Sequence, residues 1–301
     1  MRPSIRQLEC LVAVADHGSF RKAAGALGIS QPALSAQVQT AEALLGVQVF
    51  ERDRRSVLVT PAGDDVVSRA RIALDAVDTV GDAARRRAEP LVGPLRLGVI
   101  PTVAPYWLPA LLPEVRKRFP RLELILREDQ TAHLLAQLGA GQLEAALLAL
   151  PVPGDVTTAA IAHEDFVVAA PRGAAILRGR VSEKDLANET VLLLEDGHCL
   201  RDQALAVCNR GGAVESVEVR ATSLPTLVQM VAGGLGITLL PETAAAALVH
   251  PPVAIAELKK PVPGRTIGLA WRTSSARLRE LRMLAEVMAG EAEKYLAKLR
   301  R

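Results

Sequence analysis

Residues 60–87 constrain the fold more than any other stretch of this 301-residue chain. Thr60 can cap a helix with Pro61 at its first position, and Val66, Ala70, Ala73, Val77, Val80 and Ala84 recur at spacings of four and three. That seam is too narrow to build a core of its own, and it has the geometry of a coiled-coil contact with a second copy. Glu89 to Pro94, with two prolines and a glycine, reads as a hinge. The long helix therefore separates two modules, and the expected division is 1–60, a linking helix at 61–88, and 89–301.

The first module has a helical pattern. Residues 4–16 place Ile5, Leu8, Leu11, Val12 and Ala15 on one face, with Cys10 among core positions. Ser19 can cap a second helix carrying Phe20, Ala23, Ala24 and Leu27. Gly28-Ile29 makes a turn, and Ser30 caps a third helix with Pro32 in its first turn. Leu34, Val38, Ala41 and Leu45 form its buried face and leave Gln31, Ser35 and Gln39 outward. This is a helix-turn-helix signature. Val47 to Thr60 has β character, with ERDRRS as the tip of a two-stranded wing. Arg52, Arg54 and Arg55 read either as a solvated basic turn or as phosphate and minor-groove contacts. Their place beside a helix-turn-helix favours DNA. The net charge of +3 is too small to decide the matter alone.

From Leu95 the pattern changes to alternating strands and helices, the mark of an α/β module. Strands are expected at 95–100, 122–128, 145–150, 166–170, 191–194, 215–221, 238–240 and 266–271. Helices are expected at 103–119, 131–140, 182–187, 224–233 and 241–248, with a last one from Ser275 to about Arg300. Chain crossings near His163–Phe166 and Arg265–Leu269 would divide the module into two lobes around a cleft, 92–162 with 268–301 and 163–267. The fold class is thus α/β, carrying an all-helical-plus-wing N-terminal domain.

Two of the three cysteines lie in Glu195 to Cys208, EDGHCLRDQALAVC. This segment follows the apolar strand Val191–Leu194 and opens a helix after Asp196-Gly197. On an unbroken helix Cys199 and Cys208 stand roughly 13 Å apart on opposite faces. A disulfide needs Cα atoms within about 7 Å, so this pair joins only if the helix comes apart. Cys199 sits in the first turn, where exposed N–H groups and the helix dipole favour an anion. His198 and Arg201 can add positive charge, against Glu195, Asp196 and Asp202. Such a site can bring a thiol from about 8.5 into the range of about 3.5–7.5. Peroxide then converts the thiolate to a sulfenic acid that a second thiol resolves. The other reading is two unrelated buried thiols.

An odd cysteine count fits a reducing cytoplasm better than a secreted disulfide framework. Leu11 to Ala15 is too short for a signal peptide, and no apolar run reaches 18 residues. His133 and His163 fit no tight metal spacing, and no metal or cofactor is expected.

FRKAAGALGISQPALSAQV, followed by LG, VFER and TPAG, resembles the winged DNA-binding domain of LysR-type regulators. GHCLRDQAL with a second cysteine, and RATSLPTLVQMVAGGLGITLLP downstream, resemble the OxyR-type peroxide sensors of that family. The resemblance covers essentially the whole chain. It implies a periplasmic-binding-protein-like, two-lobed sensor domain. It also implies DNA contacts at Ser30, Gln31, Pro32, Ser35 and Arg52, and a peroxide pocket of Thr102, Thr131, His198, Cys199, Asp202 and Arg265. Taken alone, each threonine is an ordinary helix cap. The resemblance further implies Cys208 as resolving thiol and Arg265 as a stabiliser of negative charge. The partners it implies are double-stranded promoter DNA, hydrogen peroxide, RNA polymerase, a thiol reductant system, and other copies of the chain in a dimer and then a tetramer. One departure stands out: Gln39, Thr40, Ala41 and Glu42 occupy places where the family often has basic residues and Leu-Glu. Two other readings are a metabolite-sensing LysR-type regulator with incidental cysteines and a thiol peroxidase using Cys199. An enzyme has no need of a helix-turn-helix, so the expectation is a regulator.

Overall fold

Serine caps begin all three helices at the N-terminus of the computed structural model, which describes residues 2–52, 57–85, 91–187, 189–212, 214–248 and 252–300. In α1 (Ile5–His17), Ser4 Oγ accepts from the Gln7 amide, and the Gln7 side chain accepts in return from the Ser4 amide. Ser19 opens α2 (Phe20–Ala26), and Ser30 opens α3 (Gln31–Leu45). Cys10, Leu11, Val14, Leu34, Val38, Ala41 and Phe50 close into one core, so Cys10 is a packing residue as expected. β1 (Phe50–Arg52) and β2 (Val57–Val59) pair antiparallel as the wing. Arg54 and Arg55, expected at its tip, lie outside the described residues, as does the side chain of Arg52.

Glu42, the departure noted at the end of α3, has a structural task. Its Oε1 accepts from the Val49 and Phe50 amides at 2.8 and 3.1 Å, which ties the helix to the wing. Thr60 Oγ1 accepts from the Gly63 amide at 2.9 Å and donates to the Gln48 carbonyl at 2.7 Å, starting α4 (Pro61–Arg85). A Cβ on Gly63 would run into the Val49 backbone, so TPAG records a close approach of helix to wing. Val67 and Ala70 of α4 are buried, whereas Val80 is 73% exposed.

Contacts divide the chain into two compact units, residues 1–90 with 136–144 and 274–277, and the remainder. In the second, β3 (Gly93–Val99) leads through α5 (Ala104–Arg118) to β4 (Leu122–Glu128); α6 (Thr131–Gly139), whose residues from 136 on count with the first unit, then leads to β5 (Ala145–Leu150). β3 lies parallel to and between β4 and β5. β6 runs without interruption from Val156 to Ala170, far longer than the expected 166–170. Its first half, TTAAIAH, lacks an apolar signature because its pairing partner, not its own sequence, makes it a strand.

After β6 come β7 (Thr190–Leu194), α7 (Cys199–Gly211), β8 (Val214–Ala221) and α8 (Leu224–Ala232). β9 (Thr238–Pro241), α9 (Glu242–Ala246), β10 (Ala254–Glu257), β11 (Gly264–Arg272) and α10 (Leu278–Leu299) complete the chain. β10 was not expected; four residues beside proline-rich flanks carry no readable period. The main sheet has the order β10-β6-β11-β5-β3-β4, with β9 also on β6. β11 pairs antiparallel with β6 from Gly264↔Asp165 to Arg272↔Val156, and β9 and β10 take the other end of β6. β6 therefore pairs with β11 over 156–165 and with β9 and β10 over 166–170. β7 pairs parallel to β8 and meets Ile237, ahead of β9, through an isolated bridge. The expected helix at 182–187 is a 3-10 turn, Glu183–Leu186. The bridge of Val181 to Leu258 and the Ser182–Asp185 capping box leave it too short for α-helical bonds.

Candidate functional site

Three strand-to-helix junctions converge in the second unit. The chain after β3 supplies Ile100, Pro101 and Thr102, that after β4 supplies Gln130 and Thr131, and that after β7 supplies Gly197, His198 and Cys199. Together these eight residues line one small pocket. Strand C-termini are where α/β sheets bind ligands, because helix N-termini bring unpaired N–H groups there. Gly197 is required twice over. Its φ of +93° is left-handed, and a Cβ would collide with Gln130 Oε1.

Cys199 is the first residue of α7, half-buried, with His198 as the N-cap. His198 is itself buried and makes no side-chain cap bond. The Thr131 hydroxyl oxygen is buried and finds no hydrogen-bond partner among the described residues. Leaving a polar atom dry is unfavourable by roughly 1–3 kcal/mol unless something later satisfies it. The positive charge expected from Arg201 is spent elsewhere. Its Nε donates to Asp196 at 2.8 Å and its Nη1 to Glu215 at 2.8 Å, while Arg220 Nη1 donates to Asp196 at 2.7 Å. Of the influences named for Cys199, the helix N-terminus is left, with His198 as its cap and a fellow lining residue of the pocket.

Cys208 lies on the far side of the unbroken α7, 2% exposed, packed in the apolar core of the second lobe. All three cysteines are free thiols. Burial pushes the Cys208 thiol from its ordinary value near 9 up to about 11, with Glu183 and Glu215 adding to the effect. The thiol is therefore protonated and inert while α7 is intact. Two results are expected of the reduced protein. Maleimide at pH 8 labels Cys199 and leaves Cys208 unlabelled until denaturant is added, as peptide mapping will read. Between pH 9 and about 11 the unfolded chain binds fewer protons than the folded one, so the contribution of Cys208 to stability falls as pH rises through that window.

Arg265 stands behind the pocket wall. Its Nη1 donates to Thr102 Oγ1 at 2.8 Å and its Nη2 to the Thr102 carbonyl at 2.9 Å. Its Nε donates to Glu164 Oε1 at 2.8 Å. Glu164 also accepts from Trp107 Nε1 at 3.3 Å and from the Thr243 hydroxyl. The side chains of the ion pair are wholly buried.

In the first unit, Ser30, Gln31 and Pro32 lie exposed together at the start of α3, with Ser35 half-buried one turn on. Ser30 Oγ accepts from the Ala33 amide, so it is both a cap and a surface group. Residues 5–64 match the lysR-family bacterial regulatory helix-turn-helix proteins, and residues 88–293 match the LysR substrate binding domain. A probable hydrogen peroxide-inducible genes activator of Mycobacterium leprae is 44% identical over 291 residues, spanning 95% of this chain and 94% of that protein. The full-length structure of an OxyR variant from Pseudomonas aeruginosa superposes with a TM-score of 0.83 at 32% identity, covering 96% of this chain and 98% of that one. A hydrogen-peroxide-bound OxyR mutant from Corynebacterium glutamicum gives a TM-score of 0.69 at 37% identity, covering 100% and 96%.

The chain belongs to the LysR family, on its OxyR-type branch.

Of the pocket residues expected from that resemblance, the OxyR-type fold brings Thr102, Thr131, His198 and Cys199 to one surface. Asp202 is exposed one turn further along α7 and does not line the pocket. Arg265 reaches the pocket only through Thr102. Gln130, Glu164 and Thr243 were not anticipated. Gln130 precedes a helix-starting threonine, a weak signal; Glu164 and Thr243 give none, since their partners are fixed by topology. No helix of the described residues is long and apolar enough to cross a membrane, and no group of metal-ligating side chains occurs among them.

Proposed function

We propose that this OxyR-type protein is a peroxide-responsive DNA-binding regulator of transcription in the cytoplasm, with Cys199 as the sensing thiol and Cys208 as its resolving partner. Residues 1–60 would meet promoter DNA through Ser30, Gln31, Pro32 and Ser35, with Arg52, Arg54 and Arg55 on phosphates or the minor groove. The linking segment 61–88, which contains α4, would pair two copies along its seam, of which Val80 is left bare in the single chain. Residues 89–301 form the sensor, with lobe I at about 92–162 and 268–301 and lobe II at about 163–267. Further contacts between sensor domains give a tetramer.

The single observation that carries this reading is the placement of the two sulfurs. One sits at a polar pocket on a helix N-terminus, and the other is buried nine residues along the same intact helix. In the reaction the Cys199 sulfur attacks one oxygen of hydrogen peroxide and the O–O bond breaks. The other oxygen leaves as water, and the sulfur, oxidised by two electrons, becomes a sulfenic acid. Cys208 then displaces water from that sulfur to form the disulfide. Because roughly 13 Å separates the two positions along α7, closure requires the helix to unwind, which converts a chemical event into a change of shape. Cytosolic thiol reductants reset the switch, and RNA polymerase is the partner that reads the altered complex on DNA.

Peptide mass spectrometry after brief peroxide treatment is expected to find Cys199 linked to Cys208. Footprints of the reduced and oxidised protein on one promoter should differ in extent. Finding both thiols free after treatment, or identical footprints, overturns the proposal.

A further inference from the structure

Glu164 lies outside the pocket, yet donors from three separate elements converge on it: Trp107 from α5, Thr243 from α9 and Arg265 from β11. It sits on β6, directly opposite Arg265 in the β6–β11 ladder. Arg265 in turn grips Thr102 at both its hydroxyl and its carbonyl oxygen. A planar guanidinium presents its donors in a fixed fork, so fixing Nε fixes where both terminal nitrogens point. A buried ion pair alone does not require three donors on one carboxylate, and by itself it is poor evidence of stabilisation.

The consequence falls on the Thr102 proton. A hydroxyl carries one donor. Arg265 occupies one of the two lone pairs of the Thr102 oxygen, which turns the hydroxyl proton away from the guanidinium and leaves it available to the pocket. Thr131, across the pocket, holds an unpartnered buried oxygen. The two threonines therefore differ: the Thr102 hydroxyl is oriented by Arg265, whereas the Thr131 hydroxyl has no partner among the described residues.

We propose that Glu164 is a positioning residue for the peroxide reaction, fixing Arg265 so that the Thr102 hydroxyl points its proton at the departing oxygen. This rests on the reading of Cys199 as the peroxide-reactive thiol. When the Cys199 sulfur bonds to one peroxide oxygen, the other takes up charge as the O–O bond breaks and needs a hydrogen bond before it leaves as water. A preset donor meets that charge with no reorganisation.

The test uses the full-length chain carrying Cys208→Ser, so that oxidation stops at the sulfenic acid. Two rates are measured across pH: sulfenic acid formation with hydrogen peroxide, and alkylation of Cys199 by iodoacetamide. Alkylation needs the thiolate and access but no donor to a leaving oxygen. Adding Glu164→Gln is expected to lower the plateau peroxide rate on the order of tenfold or more while leaving the alkylation plateau unchanged. Thr243→Val keeps the ion pair and removes only the hydroxyl on Glu164. It should show the same split to a smaller degree, and it carries the test if Glu164→Gln does not fold. Variants whose two rates both match the parent, or fall together, overturn the inference. A parent that forms no sulfenic acid overturns the reading of Cys199 and the inference with it.

Discussion

Cys199→Ser is expected to remove the peroxide response completely. Serine keeps the size and the helix-capping environment of the position, so the pocket and α7 persist. Its hydroxyl stays protonated at neutral pH and is a far weaker nucleophile than a thiolate. No sulfenic acid forms, Cys208 has nothing to displace, and the footprint of the peroxide-treated variant should match that of the untreated one. The control is the melting temperature, which should stay within a few degrees of the parent. Full peroxide-dependent transcription from the serine variant would end the case for the switch, whatever Cys208 does.

Gly211→Ala is expected to move the switch in the opposite direction. Gly211 closes α7, three residues beyond Cys208, where a Cβ would meet the Glu183 carbonyl oxygen. Backbone cannot yield as a flexible side chain does, so overpacking of this kind destabilises by about 1–3 kcal/mol. That strain exists only while α7 is folded against the Glu183–Leu186 turn. A form in which α7 has already come apart escapes it. The disulfide is therefore favoured relative to the dithiol, and the midpoint potential should become more negative by roughly 20–60 mV, since about 1.4 kcal/mol corresponds to 30 mV. A glutathione redox titration read by thiol alkylation measures this. A potential unchanged or shifted upward, in a variant whose melting point has fallen, would mean that α7 stays folded in the oxidised form.

What could be read from the sequence was local. Serine caps, the TPAG turn and threonines at helix starts depend on neighbours within four residues, so α1 to α6 fell near their expected places. The opposed cysteines followed from helical geometry alone. Arg201 was visible as a charge next to Cys199, but its fate was not. Asp196 is five residues away, while Glu215 lies 14 residues on, across the turn into β8. Glu164 was less legible still, as a lone carboxylate in a polar stretch of β6. Its partners lie 57, 79 and 101 residues off, joined only by the crossing of β6 and β11. The same long-range dependence hid the first half of β6 and all of β10.

The attachment of the β7–β8 ribbon, slight in hydrogen bonds, bears on how the protein survives its own switching. One isolated bridge, made by the Thr190 and Leu192 backbone bonds to Ile237, and the Thr238 hydroxyl bond to the Leu192 carbonyl tie it to the strand beside it, while β6, β9, β10 and β11 pair among themselves. The side chains of β7, Val191 to Leu194, nevertheless share one apolar core with Phe166, Val168 and Leu239, so the cost of opening the ribbon is set by that packing and not by its few hydrogen bonds. Repeated cycles of oxidation and reduction would then leave that shared core as the anchor on which α7 is rebuilt each time.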